Sequence, residues 1–150
     1  MNTRNETGRF IKNAGLDRGR LPEVSKYSYG DILRNINDTF VTGNGGNHLS
    51  WNGRIKNLRL IRSASGDRAD IWYHRLTEAI PSEEQVYLIL EDTKEYETKY
   101  LIYEAYPSEI ITLLDEMNVP GEIYIVSKKY KWLIFKTLEN TAYCTGDIHF

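Results

Sequence analysis

The stretch GEIYIVSKKYKWLIF, residues 121–135, sets two apolar runs on either side of a Ser-Lys-Lys-Tyr-Lys centre. Both runs are rich in β-branched and aromatic residues, which pack well on a pleated surface. Ser127, Lys128, Lys129 and Tyr130 stand where a hairpin must reverse. Side chains alternate across a strand, so Ile123, Ile125, Trp132 and Ile134 share one buried side. Lysines at a turn and on sheet margins discourage edge-to-edge pairing. Turn chemistry alone accounts for this basic cluster, without a functional patch.

Reading outward, TAYCT at 141–145 adds a third strand and completes an antiparallel meander. On the other side, PSEIITLLDEMN (107–118) predicts a helix. Pro107 suits its first position, Glu109 suits its positive end, and Ile110, Leu113, Leu114 and Met117 line one face. QVYLILED (85–92) and KYLIYEAY (99–106) read as strands joined by the charged TKEYET. Their near-continuous apolar runs predict strands covered on both faces, or on one face plus a helix. The order in the C-terminal half is therefore β-β-α-β-β-β.

SYGDILRNINDTF (28–40) predicts an earlier helix, with Ser28 as cap, Asp31 in a capping box, and Ile32, Leu33, Ile36 and Phe40 on one face. GDRADIWYHRLTEAIP (66–81) predicts another, capped by Asp67 and stopped by Pro81. LSWNGRIKNLRLIRS (49–63) is ambiguous. Alternating Leu58 and Leu60 suit a strand, while the spacing of Ile55, Leu58 and Ile61 suits a helix; the start leans to strand or irregular chain. In residues 1–27, RFIKNAGL allows one or two helical turns, and the rest reads as an extended lead-in. The expectation is a single α+β domain over residues 1–150, a mostly antiparallel sheet with the N-terminal helices packed on one face.

A chain of 150 residues with 41% hydrophobic and 27% charged residues has the means to bury a real core. One cysteine, Cys144, excludes an internal disulfide framework and a cysteine-based zinc site. The first sixteen residues hold no apolar core of a signal peptide, and no run is long enough to span a bilayer. A reducing cytoplasm fits these features.

Charge is unevenly spread. Residues 1–75 hold 13 basic and 7 acidic residues; residues 76–150 hold 6 basic and 14 acidic, and every arginine lies in the first half. Such asymmetry fits a charged partner, or two halves that attract each other once folded.

Few motifs carry chemistry. His48, His74 and His149 form no metal-ligand spacing, so neither metal nor cofactor is expected. His74 and Glu78, four apart, fit a surface pair on one helix. Cys144 fits a buried structural thiol better than a nucleophile served by His149 near a fraying end. GNGGNH (43–48) lacks a phosphate-loop pattern and reads as a turn. Arg54, Lys56, Arg59 and Arg62 near Trp51 could meet phosphates while the indole stacks on a base. The acidic residues of the 85–105 hairpin point elsewhere: Glu91, Asp92, Glu95 and Glu97 interleave with Tyr96 and Tyr100. Carboxylates speed encounter with a basic protein, and tyrosine rings supply buried contact area; a solvated hairpin tip accounts for the same residues.

The chain also resembles a family of small bacterial proteins over about residues 70–147. In that family a Val-Tyr-Leu-Ile-type strand leads to Glu-Asp, and an Ile-Val-Ser-Lys-Lys-type strand leads into Trp-Leu. Val86 to Asp92, Ile125 to Leu133 and the final AYCTGD match here. Such proteins are similar in size and style to immunity proteins of bacterial toxin systems, including the superfamily related to yeast Smi1/Knr4. The family follows its Trp-Leu strand with a polar, often His-bearing segment; this chain has FKTLENTAY, so no role of that segment carries over. The resemblance implies a non-enzymatic cytoplasmic binding protein that blocks a toxin by occlusion. Its protein partner, a basic toxin domain, would meet Glu91, Asp92, Glu95, Tyr96 and Glu97, with no catalytic residue required. The alternatives are nucleic-acid binding by the arginine-rich first half and, third, an enzyme using His48 or His74.

Overall fold

A computed structural model describes residues 3–42, 55–61, 69–94, 97–117, 121–137 and 141–150. The stretch at 121–135 forms the expected hairpin. Strand β4, Ile123–Ser127, pairs antiparallel with β5, Trp132–Lys136, with Ile125 opposite Ile134. The turn closes when the Tyr130 N–H donates to Ser127 O at 2.9 Å. Ser127 Oγ accepts from the N–H groups of Lys129 and Lys131 at 3.1 and 3.4 Å. Tyr130 takes the left-handed conformation (φ 56°), a turn geometry uncommon outside glycine. Lys128 is half-buried and held by neighbouring strands: its ammonium donates to Gln85 Oε1 at 2.6 Å, pairs with Glu104 and lies over the Tyr87 ring.

Strand β6, Ala142–Gly146, continues the meander beside β5. A short strand β1, Arg59–Ile61, pairs with its other edge. Strands β2, Val86–Lys94, and β3, Glu97–Ala105, form the long hairpin, with Lys94 opposite Glu97 at its tip. β4 joins β2, so the six antiparallel strands lie in the order β1-β6-β5-β4-β2-β3. Helix α4, Pro107–Glu116, carries the chain from β3 across to β4. This is an α+β fold with the expected β-β-α-β-β-β order.

The sheet is buried on both faces, which explains the near-continuous apolar runs. On one face, Ile123, Ile125, Trp132 and Ile134 join Leu88, Leu90, Leu101, the α4 residues Ile110, Leu113 and Leu114, and Met117 just past the helix. Ile11 of helix α1, Thr3–Asn13, and Trp72 and Leu76 complete that core. On the other face, Ile89, Ile102, Tyr124, Val126, Leu133 and Phe135 pack against Ile32, Leu33, Ile36 and Phe40 of helix α2, Lys26–Phe40. The N-terminal helices are thus divided between the faces instead of gathered on one. Each of these side chains contributes about 1.5–3 kcal/mol by leaving water.

Several local expectations shift. α2 starts three residues earlier than expected: Ser25 is the cap, accepting from the Tyr27 N–H, and Asp31 pairs with Arg34 at 2.6 Å instead of capping. Residues Ala69–Arg75 form a 3-10 helix, and only Leu76–Ala79 (α3) is α-helical before Pro81. Asp67 lies outside the described residues. The lead-in is not mainly extended, because α1 runs for 11 residues with Ile11 in the core. The C-terminus is anchored, since Ile148 is buried and Arg59 donates to the carbonyls of Gly146 and Ile148 at 2.8 Å.

Candidate functional site, an acidic and aromatic shelf

Alternation along β2 puts Leu88 and Leu90 toward α4, so Glu91 falls on the α2 side with Ile89. Its cross-strand neighbour on β3 is Tyr100, and its N–H donates to Glu122 O at 3.2 Å. The same alternation places Glu122, Tyr124 and Val126 together on that side of β4 and the strand start before it. Next along the row, Tyr124 stacks with Phe135 at 6.0 Å, and Phe135 with Tyr143 at 5.4 Å; Tyr100 meets Tyr124 edge-on at 6.4 Å. Such pairs exceed their area burial by about 0.5–1.5 kcal/mol each. Leu60 of β1 stands opposite Tyr143 and is 52% exposed, which ends the row in solvent. The result is a shelf of tyrosines beside α2, with two glutamates near the end of the sheet where β2 turns into β3.

Charges on this shelf are set inside the protein. Glu122 is only 8% exposed and accepts from the Tyr124 hydroxyl at 2.8 Å. Burial first, then Glu122, pushes the Tyr124 phenol far above its ordinary value, so it remains a donor. Lys136, 3% exposed, ends β5 and donates from Nζ to Gly121 O at 2.8 Å. Burial lowers its ammonium below the usual lysine range, and Glu91 and Glu122 oppose that shift. Gly121 is tightly approached here: a Cβ would sit 3.0 Å from Glu91 Cβ and 3.1 Å from its Oε1, so Glu91 would have to give way by a few tenths of an ångström. Glycine lets the β4 entry approach Glu91 closely.

Of the five residues expected to meet a partner, Glu91 is half-buried on this shelf. Asp92 and Glu97 are placed by backbone register near the tip, opposite Lys99 and Lys94. Glu95 and Tyr96 lie outside the described residues. Glu122, Lys136, Tyr124 and Tyr143 were missed as members of the site. Glu122 and Lys136 flank apolar runs, where charge gives no sign of burial; alternation from Tyr124 was the signal that puts Glu122 beside it.

The histidines take other places. His74 does not pair with Glu78. Its Nε2 lies 2.7 Å from Asp115 Oδ1 on α4, where the Tyr73 hydroxyl also donates, and Glu78 binds Arg75. Burial works to raise the Asp115 carboxyl, but the His74 and Tyr73 hydrogen bonds win and hold it below the usual range. His48, Trp51, Arg54 and Arg62 lie outside the described residues. Among the described residues, no three His, Cys, Asp or Glu side chains gather as a metal-binding group.

Several of the described arginines are engaged within the fold. Arg20 pairs with Glu109 at 2.5 Å and lies over the Tyr106 ring, Arg34 binds Asp31, Arg75 binds Glu78, and Arg59 holds the C-terminal carbonyls. The Arg20–Glu109 pair joins the basic half of the chain to the acidic half.

Among the described residues, a six-stranded antiparallel sheet with helices on both faces defines a small α+β protein whose α2-side core holds a tyrosine-glutamate cluster. The chain belongs to the DUF6756 family, a family of unknown function whose profile matches residues 1–149. No curated protein and no solved structure matches it. No helix among the described residues is long and apolar enough to cross a membrane.

Proposed function

We propose that this is a non-enzymatic binding protein of the immunity type, which neutralises a basic toxin domain by covering its active site. The observation that carries the reading is half-buried Glu91 beside the partly exposed Tyr100, with Tyr143 farther along the row, at the sheet end where the acidic β2–β3 hairpin turns, above the buried Glu122–Tyr124 pair. Active sites that hold phosphates are cationic, and an acidic surface steers toward them and opposes their charge. Rigid tyrosines add contact area with little entropy lost on docking. Val86–Asp92 and Ile125–Leu133 resemble a family of small bacterial proteins that is similar in size and style to immunity proteins, which supports the same reading. Cys144, buried in β6, suits a reducing cytoplasm, where no disulfide partner is needed. Nucleic-acid binding is less favoured, because Arg20, Arg34, Arg59 and Arg75 spend their donors on the protein itself.

The test is co-expression with the product of the gene immediately upstream. Growth should be rescued by the wild-type chain and lost with Glu91→Lys, which reverses the charge at a half-buried shelf position. A folded wild-type chain that neither binds nor rescues removes the reading.

A further inference from the structure

The turn between β4 and β5 leaves two charges over. Lys128 spends its ammonium on Gln85 and Glu104. Lys129 and Lys131 are exposed, and their ammonium groups meet no carboxylate among the described residues. Both line a cleft of about 460 Å³ between this turn and the chain entering β2, a size within the range of small-ligand sites.

Two further donors of the lining are buried. Alternation along β4 puts Ser127 on the side of Ile123 and Ile125, where Trp132 also packs. Ser127 and Trp132 are only 7% and 6% exposed, and both line the cleft. Ser127 Oγ accepts from the N–H groups of Lys129 and Lys131, so its lone pairs are taken and only its proton is left to give. That proton and the Trp132 indole N–H find no acceptor among the described residues, although a buried indole normally has one. The lining thus gathers a hydroxyl, an indole N–H and two ammonium groups, all of them donors. Its carboxylates, Glu84 and Asp147, are exposed, and Asp147 lies 3.9 Å from His149. They balance the two lysines in charge and would repel the successive phosphates of a nucleic acid. Short-range hydrogen bonds, not a long-range field, must hold whatever enters.

We propose that this cleft binds a small molecule through one oxyanion group, a phosphate or a carboxylate. Ser127 Oγ and the Trp132 indole N–H donate to it from the buried side, and Lys129 and Lys131 close on it with charge-assisted hydrogen bonds from the turn. Val86 pairs with Ser127 at this end of β2, while Lys94 pairs with Glu97 at the other, so the cleft and the acidic hairpin tip lie at opposite ends of the sheet. The inference does not depend on the shelf or on any toxin.

The test titrates the isotope-labelled full chain with sodium phosphate and with sodium acetate, against sodium chloride at equal ionic strength, and follows the amide and indole N–H resonances. At least one of the two anions should saturably shift the Trp132 indole N–H together with the Lys129 and Lys131 amides, and the tighter of the two names the group. The double variant Lys129→Gln, Lys131→Gln changes exposed side chains alone, keeps the fold, and should weaken that binding roughly fivefold or more. No saturable shift with either anion overturns the proposal, as do shifts that chloride reproduces, or binding that the double variant leaves unchanged. Shifts confined to the lysine amides, with the indole unmoved, would mark loose surface pairing and overturn it too. A short DNA duplex that binds more tightly per phosphate than inorganic phosphate would overturn the choice of a small molecule.

Discussion

Gly146 shows how much one residue constrains this sheet. It sits at φ +87°, and a Cβ there would lie 2.3 Å from Lys131 O and 2.8 Å from Trp132 Cα. Both objections act on backbone, which cannot rotate away. Gly146→Ala should therefore cost about 3 kcal/mol or more in urea unfolding. Gly15 has a similar φ of +69° but no atom within 4 Å of its Cβ position. Gly15→Ala should cost only about 1 kcal/mol, the conformational part alone. Equal losses at the two sites would show that the close contact at Gly146 relaxes freely. Cys144 offers a second test at this scale. Burial raises its thiol above the usual range, and the nearby Arg59 only partly opposes that. A buried, protonated thiol is inert. Labelling by a thiol reagent at neutral pH should be negligible in the folded chain and rapid in denaturant; fast native labelling would contradict the placement of β6.

Between elements, the pair Arg20–Glu109 ties the lead-in to the first turn of α4. Burial tends to raise the Glu109 carboxyl, but hydrogen bonds from Arg20 and Ser108 prevail and its pKa is lowered. A depressed folded pKa stabilises the fold above the ordinary carboxylate value of about 4.3, and that stability is lost as pH falls through the folded value. Wild type should thus unfold later than Glu109→Gln at pH 7, with the gap closing as pH drops toward 3. A gap constant across that range would mean the ion pair carries no linked stability. The contact was not legible in the sequence, although Glu109 itself was read as favouring the helix start; 89 residues separate it from its partner. A separation of 41 residues likewise hid His74–Asp115 behind the nearer His74–Glu78 spacing. Local signals fared better. Alternation found the shared face of Ile123, Ile125, Trp132 and Ile134, and helical spacing found the α4 stripe. Apolar runs announced a sheet covered twice, but nothing in them said which helix lies on which side. Of the site, Glu91 was legible as an acid beside tyrosines, whereas Glu122 and Lys136 became visible only once register placed them against it.

The whole molecule is one wall with two cores. β2 gives Leu88 and Leu90 to one side and Ile89 to the other, and all three are fully buried. β4 and β5 divide their residues in the same way, so neither core can lose its packing without disturbing strands that the other needs. This sharing predicts a single cooperative transition in spite of two separate hydrophobic clusters. Ile36→Ala opens the α2 side and Leu113→Ala the α4 side, both at positions without exposed surface. Each should cost about 2–5 kcal/mol. More telling, both variants should keep one transition, with fluorescence and circular dichroism coinciding and the urea slope unchanged. If α2 were an independently docked cover, Ile36→Ala would split the curve: an early step as α2 leaves, then a wild-type-like step for the sheet with α4. A single step in both variants would mean that the shelf beside α2 is carried by the most stable part of the fold. That rigidity is what a preformed binding surface requires, because a partner then meets Tyr100 and Tyr143 already in place on the buried Tyr124 and little ordering is left for the encounter to offset.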